Sequence, residues 1–414
     1  MNTAAPAEGQ GLSDSDTQKR IPPSPDAPAQ AEHPSAESYL DNAATTQLLP
    51  EALEAARPFL QEAWHNPSSL YAKGMDVRRA LENARKGLAA QLGVPPQAVL
   101  FTSGGTESDN MALNGVFSSG RLKGDRLLVS ALEHPAVLAA ARALESRGVR
   151  VGLIPATPEG VVDLQAFSGM LDDQVRLVSC MAVNNELGTV QPLKEMGELI
   201  RKSAPRALFH VDAAQGFTRT ALPWKSAGIH LLSLSAHKVH GPKGVGALVR
   251  CRDVPLEPLL HGGGQEAGLR SGTENPFAVV AFCHAARQVE QRHRAMQAER
   301  AVYHARLLEA LESHQRLRVF RSPHQLPFFI SFSLPEIPGE VTLHHLEQEG
   351  LLVSTGSACA THKRTPSHVL LAAGLSEAEA LSSIRLSFSV HNTLAGLAQV
   401  LPAFHRAMGR LEKL

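Results

Sequence analysis

The 414-residue chain carries 40 Lys and Arg against 40 Asp and Glu, a formal net charge of zero, and only four cysteines. Its length exceeds one ordinary hydrophobic core, so two domains and room for a deep cleft are expected. Balanced charge gives no chain-wide basic field for a polyanion, which argues against nucleic acid as a direct partner. Cys180, Cys251, Cys283 and Cys359 stand singly, which argues against a disulfide scaffold or zinc ribbon and fits a reducing compartment.

In chain order, residues 1–37 are rich in Pro, Ala, Ser and Gln and hold almost no large apolar side chain, so a disordered tail is expected. The tail lacks the apolar core of a secretory signal. Its six acidic residues against Lys19 and Arg20 are unlike a transit peptide, so the expected location is the cytoplasm. No apolar run approaches the ~18 residues of a membrane span.

Short apolar runs alternate with helical patterns from residue 98 onward, the rhythm of βαβ units and a mainly parallel sheet. Strands are expected at 98–102, 126–130, 149–154, 175–181, 207–211, 230–234 and 245–250. A polar stretch at 285–314 reads as one long helix bridging to a smaller C-terminal domain with strands at 328–334 and 383–388. The expected division is a large domain at 38–290 and a small one at 291–414, with no internal repeat.

Ligands in such sheets bind beyond the strand ends, and three polar segments lie there. Ser103-Gly104-Gly105-Thr106-Glu107-Ser108 follows a strand and opens a helix, a geometry that aims backbone N–H groups at an anion. Taken alone it describes a glycine turn with a Thr106 cap equally well. His210-Val211-Asp212-Ala213-Ala214-Gln215 places a carboxylate at a strand end, fit either to cap the next helix or to keep a pyridine nitrogen protonated. Ser233-Leu234-Ser235-Ala236-His237-Lys238 sets a lysine among small residues, where desolvation would make its amine a Schiff-base nucleophile. A phosphate, an aldehyde and a pyridinium in one molecule describe pyridoxal 5′-phosphate.

In these and further segments the chain resembles the cysteine desulfurases of the class V pyridoxal-phosphate-dependent aminotransferase superfamily. The resemblance runs from Tyr39-Leu40-Asp41-Asn42-Ala43-Ala44-Thr45-Thr46 to about residue 390. It takes in His65-Asn66-Pro67-Ser68-Ser69, Glu133-His134, Val183-Asn184-Asn185-Glu186, Arg270-Ser271-Gly272-Thr273 and Ser357-Ala358-Cys359. It implies fold type I, an aspartate aminotransferase-like α/β architecture whose mainly parallel seven-stranded sheet has flanking helices, with a smaller α+β C-terminal domain.

The resemblance also implies roles. Lys238 would attach the cofactor and move protons, Asp212 would face its ring nitrogen, His134 would stack on the ring, Gln215 would meet its phenolic oxygen, and Asn185 would lie beside ring and substrate. Gly105, Thr106, Ser235, His237 and Thr273 would hold the phosphate, Thr273 from the second subunit of a homodimer, with Ala236 filling a small-residue slot. Arg385 would bind the substrate carboxylate. Cys359 would be the nucleophile that takes sulfur from L-cysteine, leaves L-alanine and holds a persulfide for a sulfur-acceptor protein such as an iron–sulfur scaffold.

The residues around Cys359 fit that role: small Ser354-Thr355-Gly356-Ser357-Ala358 before it and basic His362-Lys363-Arg364 after it, which favour a thiolate. The other three cysteines read as packing residues. A selenocysteine lyase or a generic class V aminotransferase is the alternative; the latter has no need of Cys359. No resident metal site is expected, with transient iron–sulfur ligation by Cys359 left open. His240 and the tail receive no role, and the 362–364 run does not identify the sulfur acceptor.

Overall fold

The computed structural model describes residues 38–251, 254–356 and 365–413. Cys359 and the tail expected at 1–37 lie outside the described residues. Seven strands form the larger sheet: β1 (Val99–Thr102), β2 (Arg126–Ser130), β3 (Arg150–Ile154), β4 (Val175–Met181), β5 (Leu208–Asp212), β6 (Leu231–Ser235) and β7 (Gly246–Arg250). Each boundary falls within one residue of expectation. The spatial order is β1-β7-β6-β5-β4-β2-β3. Strands β6, β5, β4, β2 and β3 run parallel, and β7 lies antiparallel to both its neighbours.

Strands with both faces covered must be apolar on both, and the inner strands of this sheet are, whereas the edge strand β3 is partly exposed. Leu127 and Val129 of β2 join one core with Leu177, Leu208, Leu231 and Leu248, while Leu128 points into the opposite core with Val178, Phe209, Val211 and Leu232. The period of two is thus spent on two cores rather than on one core and water. Cys180 is wholly buried in the second of these cores, and Cys283 and Cys251 pack against the edges of the two. Burial pushes the Cys180 thiol up and the Cys283 thiol to about 12, which leaves both protonated and inert.

A second, antiparallel sheet of order β10-β11-β9-β8 comprises β8 (Arg318–Val319), β9 (Phe329–Ser333), β10 (Ser354–Thr355) and β11 (Ser383–Ser387). It shares a core with the helix Leu394–Leu411 through Ile330, Phe332, Ile384, Leu386 and Phe404. The chain around Tyr39 and Asp41 bridges to Leu352 and Ser387 beside this sheet. It then crosses to the large sheet, where the Thr46 amide donates to His237 O at 2.9 Å.

The single helix expected over 285–314 is instead two, Pro276–Ala295 and Gln297–Glu312, bent at Met296 (φ −94°, ψ 9°). The hydrogen-bond ladder runs on through the bend, from Met296 N to Arg292 O and from Arg300 N to Met296 O. Arg300, one turn past it, is buried and donates to the carbonyls of Ser389 and Asn392. The bend carries this arginine inward, a tertiary demand without a local Pro or Gly to announce it.

Candidate active site

A cavity of about 510 Å³ opens at the C-terminal ends of the parallel strands. Its walls include Asp212, the last residue of β5, Ser235, the last of β6, and Met181, the last of β4. Of the sequence-derived candidates, Gly105, Thr106, His134, Asn185, Asp212, Gln215, Ser235, His237, Lys238 and Arg385 all line it. Ala236 does not; it is wholly buried beneath the segment. Thr273 also lies outside the cavity and is exposed. Cys359 falls in the stretch outside the described residues, between Gly356 and Thr365, both of which line the cavity.

Lys238 Nζ donates to the carbonyls of Ala43 at 2.6 Å and Ala44 at 2.7 Å. Those carbonyls belong to the crossing segment, so the N-terminal part of the domain sets where the amine points. Burial lowers the lysine to about 8, helped by the Arg385 and Arg219 cations and opposed by Asp41 and Asp212. An amine so placed is readily neutral and nucleophilic.

His134 caps the helix Pro135–Glu145, its Nδ1 accepting the Ala136 amide at 3.1 Å. A neutral ring that accepts at Nδ1 carries its proton on Nε2. Burial holds it below the usual imidazole range, and Lys238 and His368 add to this, while Asp212 opposes. Asp212 is buried, accepts the Ala214 amide at 2.8 Å, and has its carboxyl raised by burial against the pull of that amide, His134 and Lys238.

Two further carboxyls lie behind it. Asp109 and Glu133 are both buried, and burial raises each well above the carboxylate range, with the Asp212 charge adding to it. His210 stands in the same region between Ser179 and Ser233, each hydroxyl 2.9 Å from a ring nitrogen. Burial pushes that ring down to about 3, so it stays neutral.

At the other end of the cavity the helix Gly105–Ser118 presents its first turn, whose amides have no partner within the helix. Ser235 packs close to Gly105: a Cβ there would meet Ser235 Cβ at 3.4 Å. His237 Nδ1 lies 3.1 Å from Thr45 Oγ1, and burial with the nearby Lys238 and Lys243 cations lowers its ring to about 4. Arg270 Nε donates to Glu107 Oε1 at 2.9 Å, tying the segment that carries Thr273 to this same helix. Helix amides, a hydroxyl and a ring N–H at one end, a buried carboxyl and a desolvated amine at the other, suit a pyridine aldehyde bearing a phosphate.

Several residues in the wall, and Asp41 just behind Arg385, escaped the sequence reading of roles. Asp41 pairs with Arg385, Glu186 accepts from Ser367 Oγ at 2.6 Å, and His368 Nε2 lies 3.0 Å from Glu133 O. Burial lifts Glu186 to about 7 against that hydroxyl and Arg385. Asp109 is the one with a local signal, a charged residue on the buried face of a helix. The others are partnered across the fold. No described group of three or more His, Cys, Asp or Glu is placed to hold a metal.

Comparison with known proteins follows the same lines. Residues 38–400 match the aminotransferase class-V family model. The cysteine desulfurase IscS of Clostridium botulinum is 38% identical over 367 residues, covering 88% of this chain and 92% of that protein. The mitochondrial cysteine desulfurase of Saccharomyces cerevisiae is 39% identical over 86% of this chain and 71% of its own. A solved NifS-like protein superposes with a TM-score of 0.84 at 33% identity, covering 91% of this chain and 99% of that one.

Proposed function

The chain belongs to the class V aminotransferase family, in its cysteine desulfurase branch, and from that premise we propose that it is a pyridoxal-phosphate-dependent enzyme converting L-cysteine to L-alanine, with the sulfur held as a persulfide on Cys359. One observation carries the reading. Lys238, His134 and Asp212 share a cavity with Gly356 and Thr365, the two residues between which the Cys359 segment is spliced. Chain connectivity keeps any residue three positions from Gly356 within ~11 Å of its Cα.

When bound, pyridoxal phosphate supplies the aldehyde and the electron-accepting ring that acidify the Cα of an amino acid. Gly105, Thr106, Ser235 and His237 would hold its phosphate, Asp212 the ring nitrogen, and Gln215 the phenolic oxygen. Thr273, exposed and outside this cavity, would serve the second subunit of a homodimer. Lys238 Nζ moves the proton at Cα; its lowered basicity lets it give and take that proton near neutrality. His134 offers Nε2–H to the reacting groups, and Asn185 lies beside them. Arg385 orients the substrate carboxylate.

Sulfur leaves substrate by attack of the Cys359 thiolate on the substrate Sγ. An S–S bond forms as the C–S bond breaks, the electron pair goes to Cβ, and protonation there completes alanine. The persulfide then passes its outer sulfur to an acceptor protein, such as an iron–sulfur scaffold. No described helix is long and apolar enough to cross a membrane. The test is Cys359→Ser: the variant should keep its visible cofactor absorbance, release no sulfide from cysteine and gain no sulfur by mass spectrometry. Turnover equal to that of the parent would refute the assignment.

A further inference from the structure

A second cavity, of about 520 Å³, shares no lining residue with the first. Arg219, Arg300, His293 and Thr218 are among its polar lining residues, as are the more exposed Glu290 and Arg294, with Trp224 and Phe328 among the apolar ones. Arg219 is only 9% exposed and Arg300 only 2%, yet neither pairs with a carboxylate among the described residues. Their Nη groups donate to neutral acceptors only. Arg219 donates to Gln215 O and Oε1 at 3.0 and 2.8 Å and to Lys238 O at 3.3 Å. Arg300 donates to the carbonyls of Asn392 and Ser389.

The Nε–H of each arginine is buried without an acceptor, as are Thr218 Oγ1 and His293 Nε2. Thr218 also holds φ at +68°, a left-handed conformation that β-branched residues rarely adopt. Burial lowers each guanidinium to about 10, and Arg300 and Arg385 repel Arg219 further. The nearby carboxylates are committed elsewhere: Glu290 to Arg294 at 2.5 Å and Glu299 to the Leu394 amide at 2.8 Å. Two buried cations facing a cavity whose one lining carboxylate, Glu290, is paired with Arg294 are a costly arrangement for a fold to keep on structural grounds alone.

The volume exceeds what a bare inorganic ion fills and matches that of a small-molecule pocket. We propose that this cavity binds a small organic anion, its phosphate or carboxylate group held by Arg219 and Arg300 and its apolar body lying against Trp224 and Phe328. The site is distinct from the cofactor cavity but adjoins it through Arg219, which holds both Gln215 and the Lys238 backbone.

The chain has two tryptophans, so a Trp64→Phe background leaves Trp224 as the sole reporter. With pyridoxal phosphate bound, so that the first cavity's phosphate cradle is filled, phenyl phosphate and benzoate are titrated against Trp224 emission. A saturable change with either probe is expected, and the better binder names the anionic group. Arg219→Met and Arg300→Met should each weaken binding about tenfold or more, the loss of a charge-assisted hydrogen bond. Gln297→Glu guards against misfolding, because Gln297 is an exposed lining residue at a helix start, where a carboxylate is well tolerated. It should weaken binding several-fold by repulsion. No saturable change with either probe, or affinities in Gln297→Glu and the folded arginine variants equal to the parent, would overturn the proposal. The titration needs no desulfurase turnover, so failure of the functional reading would leave its outcome meaningful.

Discussion

Arg385 and Asp41 form a partly buried ion pair across 344 residues of sequence, Nη2 donating to Oδ1 at 2.6 Å while Nη1 donates to Asn185 O at 3.0 Å. The pair neutralises a guanidinium that is 3% exposed and fixes its plane beside the cavity. A substrate carboxylate approaching Arg385 therefore competes with Asp41 for the same cation. Arg385→Lys loses the planar fork, and the KM for cysteine should rise about tenfold or more, with a smaller effect on kcat. Asp41→Asn keeps an acceptor oxygen but removes the competing charge, and KM should fall. Steady-state kinetics decide: an unchanged KM in Arg385→Lys, or a rise in Asp41→Asn as large as in Arg385→Lys, removes Arg385 from the substrate site.

The Lys238 amine has a pH signature of its own. Its folded value of about 8 lies below the 10.5 of an unperturbed lysine, chiefly because it is buried. Between those two values the unfolded chain holds a proton that the folded chain has released, so stability rises with pH there. The size is roughly 3 kcal/mol at most, from the difference of the two values. Lys238→Met has no such term. In the cofactor-free protein the stability deficit of wild type relative to Lys238→Met should shrink from pH 8 to pH 10, measured by denaturant unfolding. A gap constant across that window would mean the amine is not desolvated.

How far these features can be read from sequence depends on whether the partner is local. The central strands were legible because β4, β5 and β6 are apolar on both faces and end in Met181, Asp212 and Ser235 beside the cavity. Asp212 ends its strand and Lys238 follows its strand by three residues, so strand ends point to both, whereas His134 is read from the family resemblance. Asp41 and Arg385, or Arg219 and the Lys238 carbonyl, meet only through the fold, and no spacing encodes that. The bend at Met296 was hidden for the same reason: neither Pro nor Gly marks it, and its cause is the burial of Arg300 against Ser389 and Asn392.

His134 serves two ends at once, holding the Ala136 amide with Nδ1 and turning Nε2 to the cavity. Replacing it by Ala removes a helix cap, worth ~1 kcal/mol, and a general acid–base, worth about 10²–10⁴ in rate. His134→Asn is the more discriminating change, since Asn caps well but carries no titratable group. We expect it to retain wild-type thermal stability while kcat falls at least about a hundredfold. A kcat within a few-fold of wild type in His134→Asn would assign His134 to capping alone.

Glu133 is the opposite case from Lys238: a carboxyl with no exposure and no side-chain hydrogen bond, raised first by burial and then by the Asp212 charge, against which only the Met181 backbone acts. Its folded value lies well above the ordinary 4.5, so above pH 4.5 the folded chain keeps a proton that the unfolded chain has lost. Stability from this group therefore falls as pH rises. Glu133→Gln is nearly isosteric with the protonated acid and does not titrate, so it removes the term without opening a cavity. The Tm of Glu133→Gln relative to wild type should increase between pH 5 and pH 8, with the variant close to wild type at the acid end. A relative Tm that stays flat or declines over this range would show Glu133 to be ionised in the fold, with a counter-charge the buried Asp109, Asp212 and His210 around it do not provide.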